Sequence, residues 1–292
     1  MRLLVSAVDG GSLTAAGRAH GMPLATVSRR ISELETAVGI RLLIRGTRSL
    51  TETAAGRAYV AACRRILEDV DEAERAAAGE YTEPRGELVV TAPIAFGRLH
   101  GMPVVAEFLQ ACPAVQVRLV LGDRLYHLQD DHFDAAIRIG ELPDSSVVAT
   151  RLGVVRPVLC ASPAYLSEHG HPHHPRELAA HDLVVFSGLG VPGTWRFGSG
   201  RSAISLAPRA RLTVNTAEAA IDAVTAGAGI TRVLSYQAAA AFAEGRLTRL
   251  LRKFEPPSLP VNLLYVGGGR LPQKLRAFID FAAPRLRARL QS

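Results

Sequence analysis

Residues 11–46 read GSLTAAGRAHGMPLATVSRRISELETAVGIRLLIRG, and this stretch decides how the amino-terminal part of the chain folds. Ser12 follows a Gly-Gly pair and is a good N-cap. Its hydroxyl accepts from orphan N–H groups at the start of a helix running from Leu13 to about Ala19. His20-Gly21 breaks that helix. Pro23 suits the first turn of a second helix, where its missing N–H costs nothing, and the run continues to Val38. Gly39 then sits where a left-handed residue belongs. Val27, Ile31, Leu34 and Val38 recur at spacings of four, three and four, which is one helix face. Ala25, Thr26, Arg29 and Glu33 lie opposite, with Ser28 and Arg30 on the flanks.

Two short helices around a Gly turn, the second showing small polar residues and Arg, form the pattern of a helix-turn-helix whose second helix enters a major groove. Arg29 and Arg30 then reach guanine edges or phosphates. Ile40 to Leu50 continues as two extended runs around Gly46, a β-wing with Arg45, Thr47 and Arg48 near its tip. Such a wing tracks phosphate or the minor groove. A surface helix pair with a solvated basic hairpin fits the same pattern, and periodicity leaves both readings open.

From Thr53 to about Gly79 the chain is Ala-rich, with no Pro and no Gly between Gly56 and Gly79. Tyr59, Ala62, Ile66, Val70, Ala73 and Ala77 step by three or four, a narrow stripe at coiled-coil spacing. Residues 81–85, with Pro84, read as a hinge. The remaining 205 residues alternate strand-like runs (Leu88–Ala92, Val115–Leu121, Ala135–Gly140, Val154–Ala161, Leu183–Phe186, Leu212–Asn215, Gly229–Val233, Val261–Val266) with helix-like ones. The latter fall near 98–111, 125–131, 216–226, 235–243 and 272–290. That alternation predicts a largely parallel sheet with helices on both faces.

Several motifs together carry a family resemblance. They are Gly11-Ser12-Leu13-Thr14-Ala15-Ala16, Ala25-Thr26-Val27-Ser28-Arg29-Arg30-Ile31, Leu34-Glu35, Gly39-Ile40-Arg41-Leu42-Leu43 with Arg45, and Thr53-Ala54-Ala55-Gly56. In order and spacing they resemble the LysR-type transcriptional regulators. Arg138-Ile139-Gly140-Glu141-Leu142, Cys160 to Leu166 and Gly227 to Thr231 extend the resemblance over essentially the whole chain. It implies an α-helical winged helix-turn-helix domain at 1–57 and a linker or dimerisation helix and hinge at 58–87. An α/β effector-binding domain at 88–292 follows. This last part resembles a periplasmic solute-binding protein, with two Rossmann-like lobes expected at 88–161 plus 267–292 and at 162–266. Three departures stand out. Pro23-Leu24 replaces a Ser-Gln pair, Ala54 replaces Glu, and family chains carry several residues ahead of the position matching Met1, so either the first helix is a turn short or the start codon is called late.

The functional expectations follow from that resemblance. Ser12, Ala25, Thr26, Ser28, Arg29, Arg30, Arg45, Thr47 and Arg48 are the candidate DNA contacts. Tyr59, Ala62, Ile66, Val70 and Ala73 are the candidate dimer contacts. A homodimer or a dimer of dimers would read an inverted repeat in double-stranded DNA and control a nearby gene, with RNA polymerase as a further partner. Ligands in such sheets bind beyond the carboxyl ends of strands, where helix N-termini favour anions. The candidate effector pocket is therefore Pro93, Phe96, Arg138, Asn215 and Thr216, with Asp123 and Arg232 alongside, and its ligand a small anion. The plainer alternative is that Asn215 and Thr216 only cap a helix and Arg138 only pairs with an acid.

Composition narrows the classes. A hydrophobic share of 48% against 21% charged residues describes a globular chain. The net charge of +7 is a weak hint of polyanion binding. Residues 1–60 carry eight Arg against four acids and residues 61–87 four against eight, so the excess is not confined to one tip. The start lacks a signal-peptide core and no apolar run reaches bilayer length, which places the protein in the cytoplasm with no membrane partner. Cys63, Cys112 and Cys160 show no CxxC spacing, so neither a disulfide framework nor a zinc site is expected. His169, His171, His173 and His174 surround Pro172 and Pro175 and read as an exposed turn rather than a metal site. No GxSxG, HExxH or phosphate loop is present, so no enzyme and no cofactor is expected.

Overall fold

The computed structural model describes residues 1–46, 50–77, 83–124, 128, 132–142, 147–187, 194–267 and 271–291, with backbone alone at 45, 69, 72, 73 and 75–77. The chain forms two compact units, Met1–Glu83 and Pro84–Ser292.

The first unit contains α1 (Arg2–Asp9), α2 (Leu13–Ala19), α3 (Leu24–Val38), strands β1 (Leu43–Arg45) and β2 (Leu50–Glu52), and α4 (Ala54–Ala77). Ser12 Oγ accepts the Ala15 N–H at 3.1 Å and starts α2. Gly39, at φ 72°, ends α3. Gly17 lets α2 approach the following turn, because a Cβ there would lie 2.7 Å from the Met22 carbonyl oxygen. β1 and β2 pair antiparallel, Leu43 opposite Glu52. Leu4, Ala7, Ala16, Val27, Ile31, Leu42, Leu43 and Val60 form one core. The apolar face of α3 stops short of its sequence pattern. Leu34 is half-buried and Val38 is exposed, because the helix outruns the core that α1 and α2 supply.

The second unit begins with β3 (Gly86–Ala92), a short α5 (Ile94–Phe96), a π-helical turn at Gly97–Gly101 and α6 (Met102–Ala111). Strands β4 (Val115–Leu121), β5 (Ala135–Ile139), β6 (Val147–Val155) and β7 (Pro157–Ala161) follow. Next come α7 (Pro163–His169), β8 (Leu183–Phe186), β9 (Trp195–Phe197), β10 (Ile204–Leu206), β11 (Ala210–Val214) and α8 (Ala217–Thr225). The chain ends with β12 (Ile230–Leu234), α9 (Ala239–Ala243), β13 (Thr248–Leu250), β14 (Leu259–Val266) and α10 (Gln273–Gln291). Two five-stranded sheets result, ordered β4-β3-β5-β14-β6 in lobe I and β11-β8-β12-β7-β13 in lobe II.

Each sheet is mixed rather than largely parallel. Three parallel strands are flanked by β14 and β6 in lobe I and by β7 and β13 in lobe II, where neighbours run antiparallel. Both faces of β3 are covered. Leu88, Val90 and Ala92 face the core under α6 and α10, while Val89 joins a second cluster with Phe133 and Leu264. This explains the unbroken apolar run that replaces alternation there.

Pairing also moves the lobe boundaries. Val154–Ala161, one extended run in sequence, crosses between sheets at Arg156, so Pro157–Ala161 belongs to lobe II. Leu259–Val266, assigned to lobe II by its place in the chain, is the central antiparallel strand of lobe I. The helix expected at 235–243 starts only at Ala239, after a turn. The helix expected at 125–131 falls almost wholly outside the described residues, as do Tyr81 and Thr82 of the hinge.

Candidate nucleic-acid interface and effector cleft

Ala25, Arg29 and Arg30 are exposed on α3, with Thr26 and Ser28 half-buried beside them. Arg29 Nη1 donates to Glu33 Oε1 at 2.7 Å, one turn along. Both side chains are more than half exposed, so the pair contributes only about 0.3–0.5 kcal/mol and does not prevent Arg29 from turning to a base. Arg30 flanks the start of α1, beside Met1 and Arg2. Ser12 is occupied as the cap of α2. Thr47, Arg48 and the Arg45 side chain lie outside the described residues.

The wing is fastened at its base. Glu35 Oε1 accepts the Leu42 and Leu43 N–H groups at 2.8 and 3.0 Å. The Thr53 N–H donates to the Leu42 carbonyl at 3.0 Å, and the Thr53 hydroxyl donates to the Arg41 carbonyl at 2.8 Å. The same hydroxyl accepts the Gly56 N–H at 2.8 Å. Thr53 thus begins α4 as the Thr-x-x-Gly spacing requires, and Gly56 packs against the Leu42 carbonyl.

Helix α4 has two faces. Val60 and Cys63 are buried, and α4 is tied to α1 by Arg2–Asp71 at 2.7 Å and by Arg64–Asp9. On the predicted stripe, Tyr59 packs partly on the core and Ala62 is half-buried, whereas Ile66 and Val70 are 46% and 40% exposed. The Ala73 side chain is not described. Burial raises the Cys63 thiol and pushes Cys160 up to about 12, so both are poor thiolates.

In the second unit, Pro93 precedes α5, and the Ile94 N–H donates to Asp123 Oδ1 at 3.0 Å. Burial, reinforced by nearby Glu218, raises the Asp123 pKa. Arg98 Nη2 on lobe I meets Glu218 Oε1 on α8 at 3.5 Å, a contact across the lobes. Tyr236 packs edge-on to Phe96 and His100, with centroids 5.6 and 5.4 Å apart. Burial, with Asp123 adding to it, holds the Tyr236 phenol above its ordinary range. Thr216 Oγ1 accepts the Ala219 N–H at 3.3 Å and caps α8, while Asn215 is exposed beside it.

The expected pocket residues therefore divide. Pro93 is buried at the end of β3, whereas Asp123 and Thr216 are half-buried and Asn215 is exposed just beyond their strands. Phe96 has no exposed surface and is a core residue of lobe I, because its ring is enclosed by His100 and Tyr236. Arg232 is committed to lobe II. It lies over the Trp195 ring at 5.5 Å and donates to the Thr194 carbonyl at 3.4 Å, and burial lowers its pKa to about 10. Arg138 sits on β5 opposite Asn262 and donates to its neighbour's carbonyl at 3.4 Å. Sequence reasoning missed Arg98, Glu218, His100 and Tyr236. Glu218 follows Asn215 by three residues, in the first turn of α8. Nothing in sequence places Arg98 or Tyr236 against it.

The histidine-rich turn is accounted for by local bonds. His169 stacks on Tyr165 at 4.3 Å, His174 Nδ1 accepts the Arg176 N–H, and the His173 N–H donates to Glu177. Among the described residues no His, Cys, Asp or Glu group is placed to hold a metal, and no helix is long and apolar enough to cross a membrane.

Residues 1–57 match the family model described as "Bacterial regulatory helix-turn-helix protein, lysR family", and residues 82–287 match "LysR substrate binding domain". The chain belongs to the LysR family. An HTH-type transcriptional regulator of Xanthomonas campestris pv. campestris (strain 8004) is 34% identical over 288 residues, spanning 97% of this chain and 84% of that protein. An HTH-type transcriptional repressor of Pseudomonas aeruginosa (strain UCBPP-PA14) is 34% identical over 283 residues, 96% of this chain and 89% of its own. The full-length structure of the Vibrio cholerae virulence activator AphB superposes with a TM-score of 0.63 at 28% identity, covering 96% of both chains. This LysR-family chain is thus a DNA-binding transcriptional regulator with an effector-binding domain, not an enzyme.

Proposed function

We propose that this LysR-family regulator reads its operator with α3 and phosphate with its wing, and that a small effector between the two lobes shifts its state. The observation that carries the DNA reading is the exposed surface of α3. Ala25, Thr26 and Ser28 are small, so the helix can approach base edges, and among the described residues Arg29 is held by one exposed ion pair. Two such heads, paired through the open Ile66 and Val70 face of α4, would read an inverted repeat as a dimer or dimer of dimers, working with RNA polymerase in the cytoplasm.

The effector reading rests on the facing strand ends. The α5 terminus already has an anion, the Asp123 carboxylate. An anionic effector would therefore lie nearer Thr216 and Arg98, with a hydrogen-bond donor directed at Asp123. Asp123→Asn and Arg98→Ala should each weaken effector binding by calorimetry without changing DNA affinity in its absence. Unchanged effector affinity in both variants would remove the cleft from consideration.

A further inference from the structure

We propose that Glu35 is a positioning residue for DNA binding. It fixes the wing to the recognition helix, and through one shared peptide it makes the wing's pose depend on α4 as well. Glu35 lies in the last turns of α3, where a carboxylate opposes the helix dipole, so the helix itself gains nothing from it there. What it does is accept two buried amides with one oxygen. Leu42 and Leu43 are 1% and 4% exposed, and their N–H groups would otherwise be desolvated where the chain turns into β1. The Leu42 carbonyl is held from the other side by Thr53 at the start of α4, and Gly56 is backed against it. One residue, Leu42, is thereby gripped through its N–H by α3 and through its C=O by α4, while its side chain fills the core. A tilt of α4 reaches the wing through Leu42, and Glu35 passes it to α3.

This rests on the reading that wing arginines meet phosphate, and the experiment separates the two ideas. The full-length chain is titrated against duplex DNA from its own upstream region across a salt series. Arg48→Ala should lower the magnitude of the salt slope by about 0.9 for each phosphate no longer neutralised. Glu35→Ala should lower it as much, with the double variant no lower. Glu35→Gln, which keeps the accepting oxygen, should retain the wild-type slope. A purely structural role would not give this result, because partial unfolding reduces the active fraction and leaves the slope of the bound complex alone. If Glu35→Ala folds poorly, Glu35→Asp, which keeps the charge and withdraws the oxygen by one methylene, serves instead. A lowered slope in Arg48→Ala with wild-type slopes in Glu35→Ala and Glu35→Asp overturns the proposal and leaves the wing reading intact. A slope in Glu35→Gln as low as in Glu35→Ala also overturns it. An unchanged slope in Arg48→Ala overturns both.

Discussion

Gly56→Ala adds one methyl group where the structure has no room for it. The new Cβ would stand 1.9 Å from the Leu42 carbonyl oxygen and 2.8 Å from its carbon. Both atoms are backbone, so no side chain can rotate away. Either the start of α4 lifts or the Leu42 peptide turns, and the Thr53 bonds to Leu42 stretch with it. Overpacking costs about 1–3 kcal/mol and each weakened hydrogen bond about 0.5–1.5 kcal/mol. Against this, Ala gains about 1 kcal/mol over Gly within a helix. The net expectation is a loss of roughly 2–3 kcal/mol, or about 10–20 °C in the Tm of a unit of this size. Calorimetry on the full-length chain measures it, with the transition of the Pro84–Ser292 unit as internal control. A Tm of the amino-terminal unit within about 2 °C of wild type, or above it, would show that the Leu42 carbonyl leaves room for the methyl group.

Other expectations are equally direct. Ile66→Asp with Val70→Asp should shift the full-length chain toward monomer in sedimentation, because both side chains are open for pairing on the single chain; an unmoved sedimentation coefficient would contradict the α4 interface. Arg29→Ala should lower discrimination between operator and random duplex by about 1–3 kcal/mol per half-site with little change in Tm, and equal losses on both duplexes would contradict base reading. Burial lowers the pKa of both His100 and His181, so each stays neutral in the fold while the unfolded chain takes up a proton. The stability of the second unit should therefore fall as pH drops below the ordinary histidine pKa of 6.5. His181 Nδ1 shares a hydrogen bond with the Tyr165 hydroxyl, and His181→Gln should flatten that fall in denaturant titrations; an unaltered pH dependence would contradict the assignment.

The amino-terminal unit was legible because its signals are local. Ser12, Gly39 and Thr53 cap helices within three or four residues of themselves, and Val27 and Ile31 mark a buried face by spacing alone. The second unit was legible as alternating elements but not in their pairing. Pro157–Ala161 and Leu259–Val266 look like ordinary strands, and only hydrogen-bond partners far along the chain decide which sheet each joins. The cleft was the least legible part. Arg98 and Glu218 meet across 120 residues, and Asp123 became the cap of α5 through a hydrogen bond spanning 29 residues. Phe96 and Arg232 have residue types suited to a pocket, yet core packing and the Trp195 ring claim them.

Sequence-specific DNA binding through the α3 surface can be measured in one titration. Purified full-length protein is bound to its own upstream intergenic DNA and to random duplex across a salt series. A preference of roughly a thousandfold or more for the upstream fragment is expected, much reduced in Arg29→Ala. Equal affinity for the two duplexes at every salt concentration would contradict it.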